Sequence, residues 1–239
     1  MRERVFKIFM DFDGTISQQD VGEAIFRTFA EEEKVNKIIV DLLNDRISSR
    51  DCWIKLCDVV REINKTELDK FIDKLPLDVT FINFKNYCAD EQNDIYVLSD
   101  GFDYYINRIF KKNGIEGLTV YSNHLEIVDG KMIPSFPYYN DSSFSSANCK
   151  RNHIIHHSSD TDFTVFIGDG NSDKDSVEYC DFIFAKSDLL RHCEMERITF
   201  YPFNNFNDVI KKLKELKSKI NLKKRSRAQL KRNQAYMNE

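Results

Sequence analysis

Four short apolar runs constrain this chain most: residues 5–10, 95–98, 163–167 and 182–185. Each is apolar on both faces, with only Lys7 and Thr164 polar, as strands of a sheet covered by helices require. Helical patterns lie between them, over residues 81–90, 102–112, 151–157 and 172–179. This alternation predicts an α/β fold with a doubly wound, Rossmann-like parallel sheet. In such sheets, sites form where strands end and helices begin. The polar motifs of this sequence fall at those ends.

Residues 17–75 break the pattern and contain no clear strand. Residues 21–44 carry Ile25, Phe29, Ile38, Ile39, Leu42 and Leu43 at helical spacing. Ser48 or Ser49 can cap a second helix bearing Trp53, Leu56, Val59, Val60 and Ile63. A third is expected over 66–74, closed by Pro76. The expected organisation is therefore a core made of residues 1–16 and 76–216, with a helical insert at 17–75 after the first strand. Residues 120–133, with Asp129-Gly130 as the turn, predict a β-hairpin, and 138–146 a polar loop.

Composition narrows the function classes. No apolar run approaches the ~20 residues a membrane helix needs. The six cysteines form no C-x-x-C pair, so a zinc site is not expected. The first strand starts so early that no signal peptide precedes it, which points to a cytoplasmic protein with reduced thiols. The net charge of −4 is unevenly spread: residues 217–232 hold eight Lys/Arg and no acid. Removing those eight from the 35 basic residues leaves 27 against 39 acidic ones, and a body that acidic is a poor nucleic-acid binder. The tail at 217–239 is expected to be a flexible, solvated extension. Its basic run leaves a nuclear signal or an anionic partner open.

Asp11 and Asp13 close the first run, followed by Gly14 and Thr15. Two carboxylates two residues apart would share one side of a strand, and a divalent cation relieves their repulsion. One can then attack as an anion while the other moves a proton. Alone, the pair is equally an acidic loop or a helix cap. Ser99 closes the second run, before Asp100 and Gly101. Its hydroxyl and the following N–H groups can hold a phosphate oxygen, or it is an ordinary cap. Lys150 opens a helix, where a cation opposes the helix dipole, so it either faces an anion or is a solvated surface lysine. Asp169, Asn171 and Asp173 lie in a Gly-Asp-Gly-Asn-Ser-Asp loop after the third run, with carboxylates spaced to reach a cation and its shell.

In this order the four motifs resemble the haloacid dehalogenase superfamily of phosphatases, over nearly the whole chain. The resemblance implies that Asp11 is the transiently phosphorylated nucleophile and Asp13 the general acid and base. It implies Mg2+ held by Asp11, Asp169 and the Asp13 backbone carbonyl, with Asp173 supporting it. Thr15 and Asn171 would support the site. Ser99, with Asp100 and Gly101, and Lys150 would bind phosphate. The insert looks like the superfamily's cap, which closes over small substrates.

Two branches look similar. Ser99-Asp100-Gly101-Phe102-Asp103 resembles phosphoserine phosphatases. Asp20, Ser122-Asn123 and Phe184-Ala185-Lys186 resemble the methionine-salvage phosphatases and related fungal polyol phosphatases. Phosphoserine phosphatases use a cap arginine for the substrate's carboxylate, but Ile54-Lys55 stands near that place. Lysine lacks the bidentate fork. Asp20, Glu23 and Arg50 are the expected cap contacts. The expected substrate is a small hydroxylated phosphomonoester: a polyol, a sugar or a salvage intermediate. Phosphoserine is the alternative. A phosphotransferase or a non-catalytic relative remains a further reading, and the oligomeric state is left open.

Overall fold

The structure, a computed structural model, describes residues 5–141 and 144–238. Residues 142 and 143 of the expected polar loop lie outside these, as do 1–4 and 239 at the chain ends. The strands are β1 (Phe6–Met10), β2 (Asp94–Phe102), β3 (Thr119–Val128), β4 (Lys131–Ser135), β5 (Phe163–Gly168), β6 (Phe182–Ala185) and β7 (Tyr201–Pro202). Among the described residues they form one seven-stranded sheet in the order β4-β3-β2-β1-β5-β6-β7. All neighbours are parallel except the β3–β4 hairpin. That hairpin turns at Asp129 and Gly130, whose positive φ values of 49° and 75° suit a tight two-residue turn.

The strand order reverses direction around β1, which lies between β2 and β5. The crevice beyond the carboxyl ends at such a switch point is where ligands bind in this architecture. Both faces of the sheet are covered. Phe6, Ile8 and Met10 pack with Val97, Val165 and Ile167 on one face. Phe9 packs with Leu98, Phe166 and Ile183 on the other. The two-residue alternation sends β1 side chains into both layers, and Lys7, which pairs with Asp94 at 3.1 Å, is its one polar residue.

Between β1 and β2 come α1 (Val21–Phe29), α2 (Glu32–Leu43), α3 (Ser49–Val59), α4 (Lys65–Ile72) and α5 (Thr80–Asp90). The single helix expected over 21–44 is two helices. The chain is extended at Ala30 and Glu31, and Phe29 packs its ring edge-on against Phe71 at 5.5 Å. Leu43, expected on the apolar face, is exposed. Ser48 is the cap of α3, accepting from Asp51 N at 3.0 Å, and Ser49 is the first helical residue. Asn64 caps α4 by accepting from Thr66 N and Glu67 N.

The second half adds α6 (Asp103–Lys112), α7 (Lys150–His157), α8 (Lys174–Val177), α9 (Ser187–Met195), α10 (Phe206–Ser218) and α11 (Ser226–Asn238). The helix expected over 172–179 is instead a 3-10 turn, Asn171–Asp173, followed by the short α8. All six cysteines are buried and free. Among the described residues no helix is long and apolar enough to cross a membrane.

The tail is the largest correction. Expected to be flexible, it forms α11 and docks beside α7. Its larger apolar residues contribute little: Ile220 and Leu230 are exposed, and Leu222 is only partly buried. Ala228 and Arg232 are the buried contacts, both at 0% exposure. Arg232 pairs with Asp181 at 3.2 Å and donates to Thr164 Oγ1 at 2.9 Å. A docking face built on a buried arginine leaves no hydrophobic periodicity to detect. Replacing Arg232 by Ala strands the Asp181 charge. The change should cost about 3–5 kcal/mol. Thermal unfolding should fall by roughly 6 °C or more. An unchanged Tm would show that α11 does not hold the fold.

Candidate active site

Asp11 directly follows β1 and continues its ladder, with its N–H donating to Ile167 O at 2.9 Å. The strand ends at Met10, so Asp13 lies in the following turn and not on the same side of a strand. That corrects the expected geometry of the pair. The Asp13 carboxylate accepts from Val21 N at 2.9 Å, Tyr105 Oη at 2.9 Å and Ser99 Oγ at 3.2 Å. Ser99 Oγ in turn accepts from Gly101 N at 3.0 Å.

Two glycines make the site compact. Gly14 has φ +72°, and a Cβ there would stand 2.3 Å from the Asp169 carboxylate. A Cβ on Gly101 would meet both Tyr105 Oη and Asp13 Oδ2. Thr15 Oγ1 donates to Asp169 Oδ1 at 2.8 Å.

Lys150 is the first residue of α7, and its side chain is 1% exposed. Its ammonium reaches Asp11 Oδ1 at 2.5 Å, Asp173 Oδ1 at 2.6 Å and Ser172 Oγ at 3.2 Å. A cation at a helix start, unfavourable with the dipole, is here held by two carboxylates. The other Asp173 oxygen accepts from Asp169 N and Gly170 N, both at 3.1 Å.

Asp11, Asp169 and Asp173 can each place an oxygen within 4.8 Å of the others. Hard oxygen donors alone suit a cation of the magnesium class. Both Asp173 oxygens already have partners, which leaves Asp11 and Asp169 as the direct ligands such an ion would find. The Asp13 side chain stands outside this group.

Burial and crowding set the protonation of these groups. Burial pushes the Asp13 carboxyl up to about 7, and the charge of Asp20 adds to it. Burial, then the charge of Asp173, raises Asp169 to about 6. Burial also raises Asp11, and the adjoining Lys150 ammonium pulls the other way. For Lys150 itself burial favours the neutral amine, but Asp11 and Asp173 outweigh it and keep the ammonium charged. Asp20 is open to solvent, yet the surrounding protein desolvates it enough to raise its pKa.

Several expected contacts lie elsewhere. Asp100 turns its carboxylate to Ser49, Trp53 and residues 146–148, and not towards a phosphate beside Asp11. Arg50 lies over the Tyr139 ring at 4.8 Å. Glu23 is tied to Arg27 at 2.6 Å, Asp20 caps α1 through Glu23 N, and Asn171 is exposed. Sequence reasoning missed Tyr105, a fully buried partner of Asp13. It also missed Asn148, which bonds Ser99 O and Tyr121 O at 2.8 Å each. Neither belongs to a local motif. The only trace of Tyr105 is a glycine four residues before it.

A family model of haloacid dehalogenase-like hydrolases matches residues 8–177. The chain belongs to that family. A relative, Pdp3-interacting factor 1 of Schizosaccharomyces pombe, is 29% identical over 220 residues, covering 87% of this chain and 95% of that protein. The 2-hydroxy-3-keto-5-methylthiopentenyl-1-phosphate phosphatase of Brevibacillus brevis is 24% identical, covering 89% of this chain and 97% of that one. Among solved structures, a phospho-aspartyl intermediate analogue of phosphoserine phosphatase superposes with a TM-score of 0.65 at 19% identity, over 87% of this chain and 99% of that one. At that identity the likeness establishes a shared fold. The α/β core with its parallel sheet is therefore that of the family's hydrolases.

The raised carboxyls give a testable sign. Asp13 and Asp169 hold protons in the folded state that the unfolded chain, near the ordinary aspartate value of about 3.9, has already lost. Their contribution to stability is therefore full below pH ~4 and lost as pH rises through about 6 to 7. In EDTA, the Tm of Asp13→Asn should fall less between pH 5 and 7.5 than that of the unmodified chain. Equal pH slopes would contradict the Asp13 assignment.

Proposed function

We propose that this family member is a magnesium-dependent phosphomonoesterase that works through an aspartyl-phosphate on Asp11. The observation that carries this is the buried Lys150 ammonium bridging Asp11 and Asp173 beside Asp13, whose carboxyl burial raises to about 7. A phosphate monoester brings negative charge to its reaction centre, and a fixed cation offsets it without reorganisation. Lys150, with Ser99, meets the phosphate oxygens. The Asp11 oxygen not held by Lys150 attacks phosphorus, and the ester P–O bond breaks. Asp13 gives its proton to the leaving alkoxide. Asp13, now a carboxylate, takes a proton from water as that water attacks phosphorus. The bond to Asp11 breaks, and inorganic phosphate and the free carboxylate are restored.

Asp11, Asp169 and the Asp13 carbonyl would hold Mg2+, which when bound supplies further positive charge at the phosphate. Tyr105 keeps Asp13 aimed and is itself too weakly acidic to compete for the proton, because burial and Asp13 raise its pKa well above normal.

The substrate reading is a small hydroxylated metabolite phosphate: a polyol, sugar or salvage intermediate. The helices at 17–75 would act as a cap that limits substrate size. Asp20 lies close enough to raise the Asp13 pKa, so the cap side of the site presents hydrogen-bond acceptors that suit hydroxyls. The arginines that could grip a substrate carboxylate are engaged elsewhere, Arg46 with Asp41 at 3.1 Å and Arg50 over Tyr139. Lys55 is exposed. This disfavours phosphoserine.

Three measurements test these claims. Asp11→Asn should lower kcat/KM at least about 10³-fold. Asp13→Asn should lower kcat/KM for alkyl phosphates about 10²- to 10⁴-fold, and for p-nitrophenyl phosphate much less, because nitrophenolate leaves without a proton. Full activity of Asp11→Asn would refute the nucleophile. In a magnesium-supplemented panel scored by kcat/KM, polyol, sugar or salvage phosphates should outrank phosphoserine. The reverse order would refute the substrate class.

A further inference from the structure

Asp100 carries more bonds than its place between Ser99 and Gly101 requires. Its Oδ1 accepts from Ser146 Oγ at 2.8 Å, Ala147 N at 2.6 Å and Asn148 N at 2.8 Å. Its Oδ2 accepts from two residues of α3, Ser49 through its hydroxyl and Trp53 through Nε1 at 3.4 Å. One oxygen thus holds the segment that leads into α7, and the other holds the helical insert. The segment is pinned further. Asn148 Oδ1 meets His153 Nε2 on α7 at 2.8 Å, and its amide nitrogen donates to Ser99 O within β2 and Tyr121 O within β3. Two residues after Asn148 comes Lys150, with its ammonium on Asp11.

We propose that Asp100 is a positioning residue, the joint through which the seated insert orders residues 146–148 and so sets the Lys150 ammonium against Asp11. A carboxylate is rigid: its two oxygens cannot move independently. Losing the Ser49 and Trp53 donors leaves one oxygen of a half-buried anion unsatisfied, and the group rotates towards water. That rotation loosens the three bonds on the opposite oxygen. Lys150 loses its fixed starting point while its own partners are untouched. A direct path supports the same coupling, since Ser49 N donates to Phe144 O at 3.1 Å. The link matters for turnover because of the phosphatase reading above, and it makes productive Lys150 geometry conditional on a closed insert.

Ser49→Ala isolates the joint. It removes the hydroxyl, keeps the backbone bond to Phe144, and touches neither Asp11 nor Lys150. Amide exchange in peptides covering residues 145–151, followed by mass spectrometry on the full chain, reads the segment directly. Ser49→Ala should speed exchange at Ala147 and Asn148 about ten-fold, with Trp53→Phe in the same direction. Asp100→Asn, which keeps an acceptor for those amides, should speed exchange less than Asp100→Ala. With magnesium present, inorganic phosphate should bind Ser49→Ala several-fold more weakly by calorimetry, and kcat should fall more than KM rises. Exchange within two-fold of the unmodified chain in both Ser49→Ala and Trp53→Phe would overturn the joint. So would a defect in Asp100→Asn confined to KM with exchange unchanged, since that marks a substrate contact. An unmodified chain inactive on every phosphomonoester would instead sink the phosphatase reading, and the exchange result would still decide the joint.

Discussion

One buried ammonium allows negative charge to gather at the end of this sheet. Asp11, Asp169 and Asp173 converge from β1 and the loop after β5, with Asp13 close by. Carboxylates buried together without a counter-charge would take up protons and lose their chemistry. Lys150 sits between Asp11 and Asp173 and is shielded from water with them. Removing one member of such a buried group leaves an uncompensated charge, so these residues depend on one another. The helix that begins at Lys150 accepts an unfavourable dipole interaction as part of that arrangement.

The same arrangement divides the four carboxylates into two kinds. Asp11 and Asp173 are paired with the Lys150 ammonium, although burial still raises the Asp11 carboxyl above its ordinary value. Asp13 and Asp169 are not so paired, and desolvation leaves both with raised pKa values. A proton-holding Asp13 near neutrality is what a donor to a leaving alkoxide needs. A crowded, reluctant Asp169 beside Asp11 is where a divalent cation relieves the most repulsion.

What the sequence made legible were the features encoded locally. The apolar strands, the Asp129-Gly130 turn, and the placement of Asp11, Lys150 and Asp169 at strand or helix ends are all patterns within a few residues, whereas Ser99, expected to close its strand, lies within β2, which runs on to Phe102. What it hid depends on contacts far apart in the chain. The break at Ala30 has no Gly or Pro to mark it, because it is set by Phe29 meeting Phe71. Tyr105 matters only because Gly101 leaves room for it against Asp13. Asp100 looked like a phosphate-loop residue by its neighbours, yet its partners are Ser49 and residues 146–148.

The basic tail shows the same limit and resolves the charge asymmetry of the chain. Read alone, its lysines and arginines suggest a flexible, solvated extension, with an anionic partner left open. In the fold they lie against the acidic body: Lys217 pairs with Glu91, Arg227 and Lys231 with Glu178, and Arg232 with Asp181. The surface pairs among these contribute little individually, since water screens them. The buried Arg232–Asp181 pair differs, because neither member can be left without the other. An acidic body and a basic tail are therefore two sides of one intramolecular contact. The helix they secure lies beside α7, with Tyr236 bonding at Ser158, where that helix ends. The opposite end of α7 carries Lys150, so the tail braces the element on which the site's central charge is mounted.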